Sequence, residues 1–273
     1  MRKAFLSVLF FPTLVLGSCK LPEKETIKVG CTYQCGIAYK LRLKVASMIT
    51  GLPVEIIDMN TNMSLMNSMD AILIPGGADI HPRLYEELVD DAEKKLIAIH
   101  KDKFRASDEG AARDIFEFQV LKKYQSENRY SKTPLLGICR GMQMMGVSQG
   151  LPLYQDIESE LKIPNREYVI DEVSIPKGPT MMSSIFPSGE FYASKLHHQG
   201  IKGSYYYNKV SQFPHIKLTA FSHKKRIVEA IEFTNRPALG VQFHPEMSLP
   251  NNIFEWFLNK ACEKKIQFTK DGL

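Results

Sequence analysis

A five-residue motif between an apolar strand and a helix constrains this chain more than any other feature of its sequence. Residues 134–138 are apolar and run directly into Gly-Ile-Cys-Arg-Gly at 137–141, after which residues 142–149 predict a helix. A nucleophile in so sharp a strand-to-helix turn has a strained backbone, and the residues two before and two after it come close together. Both must therefore be small, and Gly137 and Gly141 meet that demand.

Cys139 stands at the nucleophile position of this motif. The free N–H groups at the start of the following helix place partial positive charge beside its sulfur and favour the thiolate form. The backbone N–H of Arg140 is expected to point toward the oxyanion formed when Cys139 attacks a carbonyl. A buried structural cysteine among packing glycines is the alternative, and the strand and helix on either side favour the catalytic interpretation.

A histidine and a glutamate two residues apart follow another apolar strand. Residues 238–243 predict this strand, and His244, Pro245 and Glu246 come next. In an extended chain, side chains two apart project to the same face, and proline restricts the residue before it to extended geometry. We expect His244 to be the base or ion-pair partner of the thiolate and Glu246 to orient it. A solvated surface turn is the alternative for this pair taken alone.

A third apolar strand, over residues 71–74, ends in Pro-Gly-Gly at 75–77. Such a turn presents backbone N–H groups without side chains in the way, which suits an oxyanion hole. Gly76 or Gly77 is therefore the second candidate donor beside Arg140.

Strands and helices alternate along the chain. Further strands are predicted over 27–32, 54–57, 168–173, 216–221 and 227–233, further helices over 36–50, 109–124 and 251–262, and a loop region over the remainder of 157–188. The strands are apolar on both faces, so the pattern predicts an α/β three-layer sandwich with a mostly parallel central sheet. The helix over 36–50 carries Ile37, Leu41, Val45 and Met48 on one face, as an amphipathic helix does.

The N-terminus has the pattern of an export signal rather than of a folded element. Two basic residues precede an apolar run over 4–16, too short for a membrane span, and Leu-Gly-Ser-Cys at 16–19 resembles the lipobox of bacterial lipoproteins. In that family the cysteine is lipidated and becomes the new N-terminus. We therefore expect a signal peptide over 1–18, a lipidated Cys19, a tether over 19–26, and an exported protein anchored to a membrane. An ordinary signal peptide with Cys19 as a bystander, or an uncleaved apolar N-terminus, stays open.

Charge and cysteine content exclude several classes of protein. The chain has 35 basic and 30 acidic residues, and the excess of +5 falls to +3 without the two basic residues of the signal, so nucleic acid is not an expected partner. Five cysteines without a C-x-x-C pair indicate neither a zinc ribbon nor a disulfide scaffold. Whether Cys31 and Cys35, four residues apart, pair in an oxidising compartment is left open.

Taken together, four sequence blocks resemble the class I glutamine amidotransferase-like superfamily, and most closely its γ-glutamyl hydrolase branch, which includes γ-glutamyl-γ-aminobutyrate and folate γ-glutamyl hydrolases. The blocks lie at 75–85, 137–143, 197–202 and 238–246, and the similarity extends over nearly all of 27–262. The resemblance implies a flavodoxin-like class I glutamine amidotransferase fold for residues 27–273. It also implies a triad of Cys139, His244 and Glu246.

The resemblance extends to the substrate pocket, with two departures. Gln143 matches a glutamine near the glutamine-binding pocket, His198 and Gln199 match the loop that closes over it, and Arg113-Asp114 match a pair found ahead of the motif. The small-residue pair that usually follows the helix predicted over 142–149 is Gly150-Leu151 here. The Asn-Ser that usually precedes the loop is Ser194-Lys195 here.

The family implies hydrolysis of a γ-glutamyl amide through a thioester on Cys139, with no metal and no cofactor. The expected partners are a small γ-glutamyl substrate and a membrane, and the amine released is not specified. Two alternatives remain: a glutaminase or amidotransferase subunit that works with a separate synthetase, and a non-catalytic binding lipoprotein.

Overall fold

The computed structural model describes residues 19–164, 168–248 and 250–271. The predicted signal peptide, 1–18, lies outside these residues. The strands are β1 Ile27–Cys31, β2 Val54–Asp58, β3 Ala71–Ile74, β4 Leu135–Ile138, β5 Leu153–Tyr154, β6 Val169–Ser174, β7 Glu190–Lys195, β8 Gly200–Ile201, β9 Ile216–Ser222, β10 Ile227–Phe233 and β11 Ala238–Val241. The α-helices are α1 Ile37–Thr50, α2 Asp91–Ile99, α3 Gly110–Ser126, α4 Arg140–Val147, α5 Ile157–Leu161, α6 Met181–Ile185, α7 Gly203–Asn208 and α8 Asn252–Asp271.

Nine of the described strands form one sheet in the order β2-β1-β3-β4-β11-β10-β9-β6-β7. The five strands from β2 to β11 are mutually parallel, and the remaining four extend the sheet in antiparallel fashion. The α/β fold with a large central sheet is thus confirmed. Because β3, β4 and β11 are adjacent and parallel, their carboxyl ends meet at one edge, and the three predicted site motifs follow those ends.

Helices cover both faces of the sheet and create two apolar cores. On one face α1 and α8 pack against alternate residues of β1, β3, β4 and β11. On the other face α3 and α4 pack against the intervening residues of the same strands. Burial on both faces explains why β3, β4 and β11 are continuous apolar runs. None of the described helices combines the length and hydropathy needed to cross a bilayer.

Helix α1 is present, but its apolar stripe lies on the outside. Such a stripe ordinarily faces the core. Here Leu43 and Ala46 are buried against α8, whereas Ile37 and Met48 are 87% and 81% exposed. The core therefore packs against the face of α1 that carries Leu43 and Ala46, where the small alanine allows close packing with α8.

The region 157–188 contains more structure than the sequence pattern predicts. Besides β6, it holds α5 and α6, both of only five residues. Asp156 caps α5 by accepting from Ser159 N–H, and Thr180 caps α6 in a capping box with Ser183. These helices are too short for hydrophobic periodicity to reveal them.

Four cysteines form disulfides within the described part of the chain, Cys31 with Cys35 and Cys19 with Cys262. The first pair settles the question that the sequence leaves open. Cys31, Cys35 and Asp58 lie close enough together to hold a metal ion, but the two sulfurs are bonded to each other.

The disulfide of Cys19 with Cys262 bears on the predicted lipidation, since a sulfur in a disulfide cannot also carry a lipid thioether. Disulfide and lipidation are alternative states of the Cys19 sulfur.

Candidate active site

Cys139 occupies a strained turn between β4 and α4. Its φ is 52° and ψ is −106°, and α4 begins at the next residue. Its N–H donates to the carbonyl oxygen of Val241 at 2.7 Å, which fastens the turn to β11. A Cβ on Gly137 would lie 2.7 Å from the carbonyl carbon of Gly141, so the close approach predicted for these two glycines is observed.

Replacing Gly141 with alanine is expected to disrupt this turn. The new Cβ would overlap the backbone carbonyl of Ile74 on the neighbouring strand, which cannot move aside as a flexible side chain can. We expect a loss of roughly 1–3 kcal/mol in the free energy of unfolding, measured by urea denaturation, together with loss of turnover. Gly110→Ala is the matched control because a Cβ there meets no atom within 4 Å. Equal stability of the two variants would contradict this interpretation.

His244 and Glu246 are neighbours, as the sequence predicts, but a tight turn rather than an extended strand brings them together. Strand β11 ends at Val241, and a 3-10 turn over Pro245–Met247 begins directly after His244. His244 Nδ1 lies 2.6 Å from Glu246 Oε1, and both side chains are buried. The carboxylate therefore fixes the orientation of the imidazole and favours a proton on Nδ1.

Cys139 and His244 face the same small space beside Gly76. A Cβ built on Gly76 would lie 3.2 Å from His244 Cε1 and 3.6 Å from Cys139 Cβ. Burial disfavours the imidazolium, but the Cys139 thiolate and the Glu246 carboxylate outweigh it and raise the pKa of His244 to about 10. The arrangement therefore favours a protonated His244 at neutral pH. Gln242 Nε2 approaches the Cys139 sulfur from another side, at 3.7 Å.

The Gly-Gly turn after β3 is held by two side chains. The N–H of Gly76 donates to Tyr39 Oη at 3.0 Å. Arg113 Nη2 donates to the carbonyl oxygens of Pro75 and Gly76 at 2.9 and 3.0 Å. Because N–H and C=O point in opposite directions across a trans peptide, the N–H of Gly77 is aimed away from Arg113. Of the predicted donors, Gly76 is already engaged, which leaves Gly77 and Arg140.

A buried ionic network joins this turn to the nucleophile turn. Glu117 Oε1 accepts from Arg113 Nε at 3.0 Å and from Thr32 Oγ1 at 2.8 Å. The other oxygen of Glu117 accepts from the guanidinium of Arg140, which also pairs with Asp114. The Arg113-Asp114 pair noted in the sequence thus has a physical role, because it ties the Gly76-Gly77 turn to the first residue of α4.

The three predicted substrate residues lie in one region but differ in their partners. Gln143 Nε2 donates to the carbonyl oxygen of Gln199 at 3.1 Å. His198 Nε2 lies 2.9 Å from Asp79 Oδ1, on the loop after the Gly-Gly turn. The amide of Gln199 is buried, and its two polar atoms lack a hydrogen-bond partner among the described residues.

The unusual Ser194-Lys195 pair has a structural explanation. The ammonium group of Lys195 is buried and lies 2.6 Å from Glu229 Oε1, 2.8 Å from Asp171 Oδ2 and 2.7 Å from Ser222 Oγ. The carbonyl oxygen of Ser194 accepts from the His244 N–H at 2.9 Å. A paired buried lysine therefore occupies this end of β7 without displacing His244.

Tyr39, Gln242 and Glu117 contact the site but are missed by the sequence analysis. Tyr39 lies on α1, 37 residues before the Gly76 N–H from which it accepts a hydrogen bond. Glu117 is one of several charged residues on α3, and the sequence does not distinguish it from the others. Of the three, only Gln242 could have been recognised from the sequence, because it is a polar residue inside an apolar run, two positions before His244.

The chain matches the family model of peptidase C26 over residues 23–246. It is 27% identical to protein NtpR of Enterococcus hirae over 77% of this chain and 83% of that protein. It is 26% identical to γ-glutamyl-γ-aminobutyrate hydrolase PuuD of Escherichia coli K12, over 79% of this chain and 80% of that protein.

Solved structures share the architecture at lower identity. The glutaminase domain of Trypanosoma brucei CTPS with bound acivicin superposes with a TM-score of 0.63 over 87% of this chain and 94% of that domain. The sequence identity is 13%, so this likeness concerns the fold alone.

Proposed function

This chain belongs to the peptidase C26 family, and we propose that it is a cysteine hydrolase that cleaves the γ-glutamyl amide bond of a small γ-glutamyl compound. The observation that carries the proposal is the convergence of three sequence motifs on one buried space. Cys139 faces His244 there, and His244 is bonded to Glu246. The likeness to a γ-glutamyl-γ-aminobutyrate hydrolase supports the substrate class.

In the first half of the proposed reaction, the Cys139 thiolate attacks the γ-carbonyl carbon. The carbonyl electrons move onto oxygen, and the N–H groups of Gly77 and Arg140 bind that oxyanion. His244, protonated because its pKa is raised to about 10, gives its proton to the departing nitrogen. The C–N bond breaks, the free amine leaves, and a γ-glutamyl thioester remains on Cys139.

The second half regenerates the enzyme. Neutral His244, oriented by Glu246, takes a proton from water, and the hydroxide so formed attacks the thioester carbonyl. Collapse of the tetrahedral intermediate breaks the C–S bond, releases glutamate and restores the thiolate–imidazolium pair. All proton transfers then run through one imidazole.

Purified protein should be screened against γ-glutamyl amides that differ in the amine, with glutamine included. We expect glutamate release from at least one secondary γ-glutamyl amide at a higher kcat/KM than from glutamine. Preference for glutamine, with activity that rises when a synthetase is added, would support the amidotransferase-subunit alternative. No turnover of any compound together with an inert Cys139 would support the binding-protein alternative.

The pH dependence of the reaction provides a separate test. The proton on His244 is retained up to its raised pKa of about 10, so kcat/KM should fall as pH rises through that value rather than through 6.5. Glu246→Gln removes one of the charges that stabilise the imidazolium and should move this alkaline limb to lower pH. A fall of kcat/KM near pH 6.5 in the unaltered protein would contradict the proposed ion pair of Cys139 and His244.

Attachment to a membrane through a lipidated Cys19 is also part of the proposal. Lipidation consumes the sulfur that otherwise binds Cys262. In protein extracted from membranes we therefore expect Cys262 to be a free thiol, which alkylation of unfolded, unreduced protein followed by peptide mapping will detect. A Cys19–Cys262 linked peptide in that material would contradict lipidation.

A further inference from the structure

Helix α1 turns an apolar stripe toward solvent. Ile37, Leu41 and Met48 are 87%, 59% and 81% exposed, and Val45 lies between them on the same face. Spacings of three and four residues place these side chains in one continuous row along the helix. Single exposed apolar residues are ordinary, but a row of three exposed ones with half-buried Val45 between them indicates a contact surface.

The charges of α1 have one sign. The helix carries Lys40, Arg42 and Lys44 and no acidic residue. Lys40 pairs with Asp58, and Arg42 donates to the carbonyl oxygen of Glu246. Lys44 is exposed and lies within the apolar row itself. Helices that lie in the interface of anionic membranes combine an apolar face with basic residues, and α1 carries both and no acidic residue.

The start of the described chain lies at the C-terminal end of this helix. Residues 19–26 and 50–53 line one groove of about 480 Å³, so Cys19 is beside the last turn of α1. In the sequence, the apolar run over 4–16 immediately precedes this point. Residues 20–26 line this groove as well, so a membrane that held the chain through residue 19 or through the preceding run would be close to the C-terminal end of α1.

We propose that the outward face of α1, defined by Ile37, Leu41, Lys44, Val45 and Met48, lies on the surface of an anionic lipid membrane. A second copy of the chain fits this face less well, because a self-complementary contact would bring Lys44 toward its own symmetry mate with no acid on either helix to pair it. The proposal is independent of the hydrolytic activity.

A local fluorescence probe tests this orientation in the full chain, whatever anchors it. The chain contains one tryptophan, Trp256, which is 6% exposed and supplies a constant background. Met48→Trp adds a probe on the face, and Tyr192→Trp adds a matched one on β7, where Tyr192 is 68% exposed. Vesicles of phosphatidylglycerol and phosphatidylethanolamine with brominated acyl chains quench a tryptophan that reaches them.

With Met48→Trp we expect a blue shift and strong quenching, and with Tyr192→Trp neither. Equal quenching of the two probes, or of neither, overturns the proposal. Concentration-dependent sedimentation of lipid-free protein that Met48→Ser abolishes would assign the face to a second copy instead. Circular dichroism verifies folding of each variant, and both substitutions are at exposed positions.

The contribution of Lys44 gives a second readout. Lys44→Gln should weaken binding to the anionic vesicles about fivefold and leave binding to phosphatidylcholine vesicles unchanged. Lys225→Gln, in the exposed loop between β9 and β10, is the matched control. Equal effects of the two substitutions would show that net charge rather than this face governs binding, and would overturn the proposal.

Discussion

Replacing Cys139 with alanine is expected to lower kcat/KM for γ-glutamyl amides by about 10⁵-fold, which is the scale on which loss of a covalent nucleophile acts. Alanine keeps the strained turn but has no atom that can form the thioester. Any rate enhancement that this variant retains would come only from the oxyanion donors and from binding of the substrate. Initial rates of glutamate release from the best substrate of the panel measure the effect.

Alkylation tests the reactivity of the Cys139 thiol separately from turnover. Cys139 is the free cysteine among the described residues, and Cys262, which lipidation of Cys19 would free, is fully buried, so mild iodoacetamide should label native protein at Cys139 alone. His244→Ala should slow that labelling, because it removes the cation that stabilises the thiolate. If Cys139→Ala retained full turnover, the thioester mechanism would be wrong.

The sequence was most informative where one local motif has few geometric solutions. Gly137 and Gly141 flank a nucleophile turn that tolerates no larger residue, so the positions of β4, α4 and Cys139 follow from five letters. Pro245 similarly restricts the path between His244 and Glu246. The pairing of these two was predicted, although the strand ends two residues earlier than expected and a 3-10 turn completes the approach.

Features that depend on distant partners were not predictable in the same way. Hydrophobic periodicity located α1, but it did not predict that the face with Leu43 and Ala46, rather than the more apolar one, packs on α8. Which face is buried depends on a helix some 200 residues later in the chain. Tyr39 and Glu117 are likewise unremarkable in sequence, and their contacts to Gly76 and Arg140 exist only in the folded chain. The disulfide of Cys19 with Cys262 spans 243 residues and left no local pattern.

Replacing Glu117 with glutamine is expected to be the most destabilising single change in the ionic network. Glu117 is fully buried, and its carboxylate accepts hydrogen bonds from Arg113, Arg140 and Thr32. The neutral amide keeps the shape but leaves two buried guanidinium groups with too little negative charge. Breaking a buried pair in this way costs about 3–5 kcal/mol in the free energy of unfolding, measured by urea denaturation.

The same substitution should also impair catalysis, since Arg113 would no longer be fixed against the Pro75 and Gly76 carbonyls that aim the Gly77 N–H. Loss of one oxyanion donor lowers kcat by roughly 10²–10³-fold. Glu127→Gln is the matched control, because Glu127 pairs with Lys123 and Arg129 at the surface, where ion pairs contribute at most about 1 kcal/mol. If the two variants unfolded at the same urea concentration and turned over equally fast, the network could not be what holds the Gly76-Gly77 turn in place, and the rigidity of that turn would have to come from Tyr39 and the β3 strand alone.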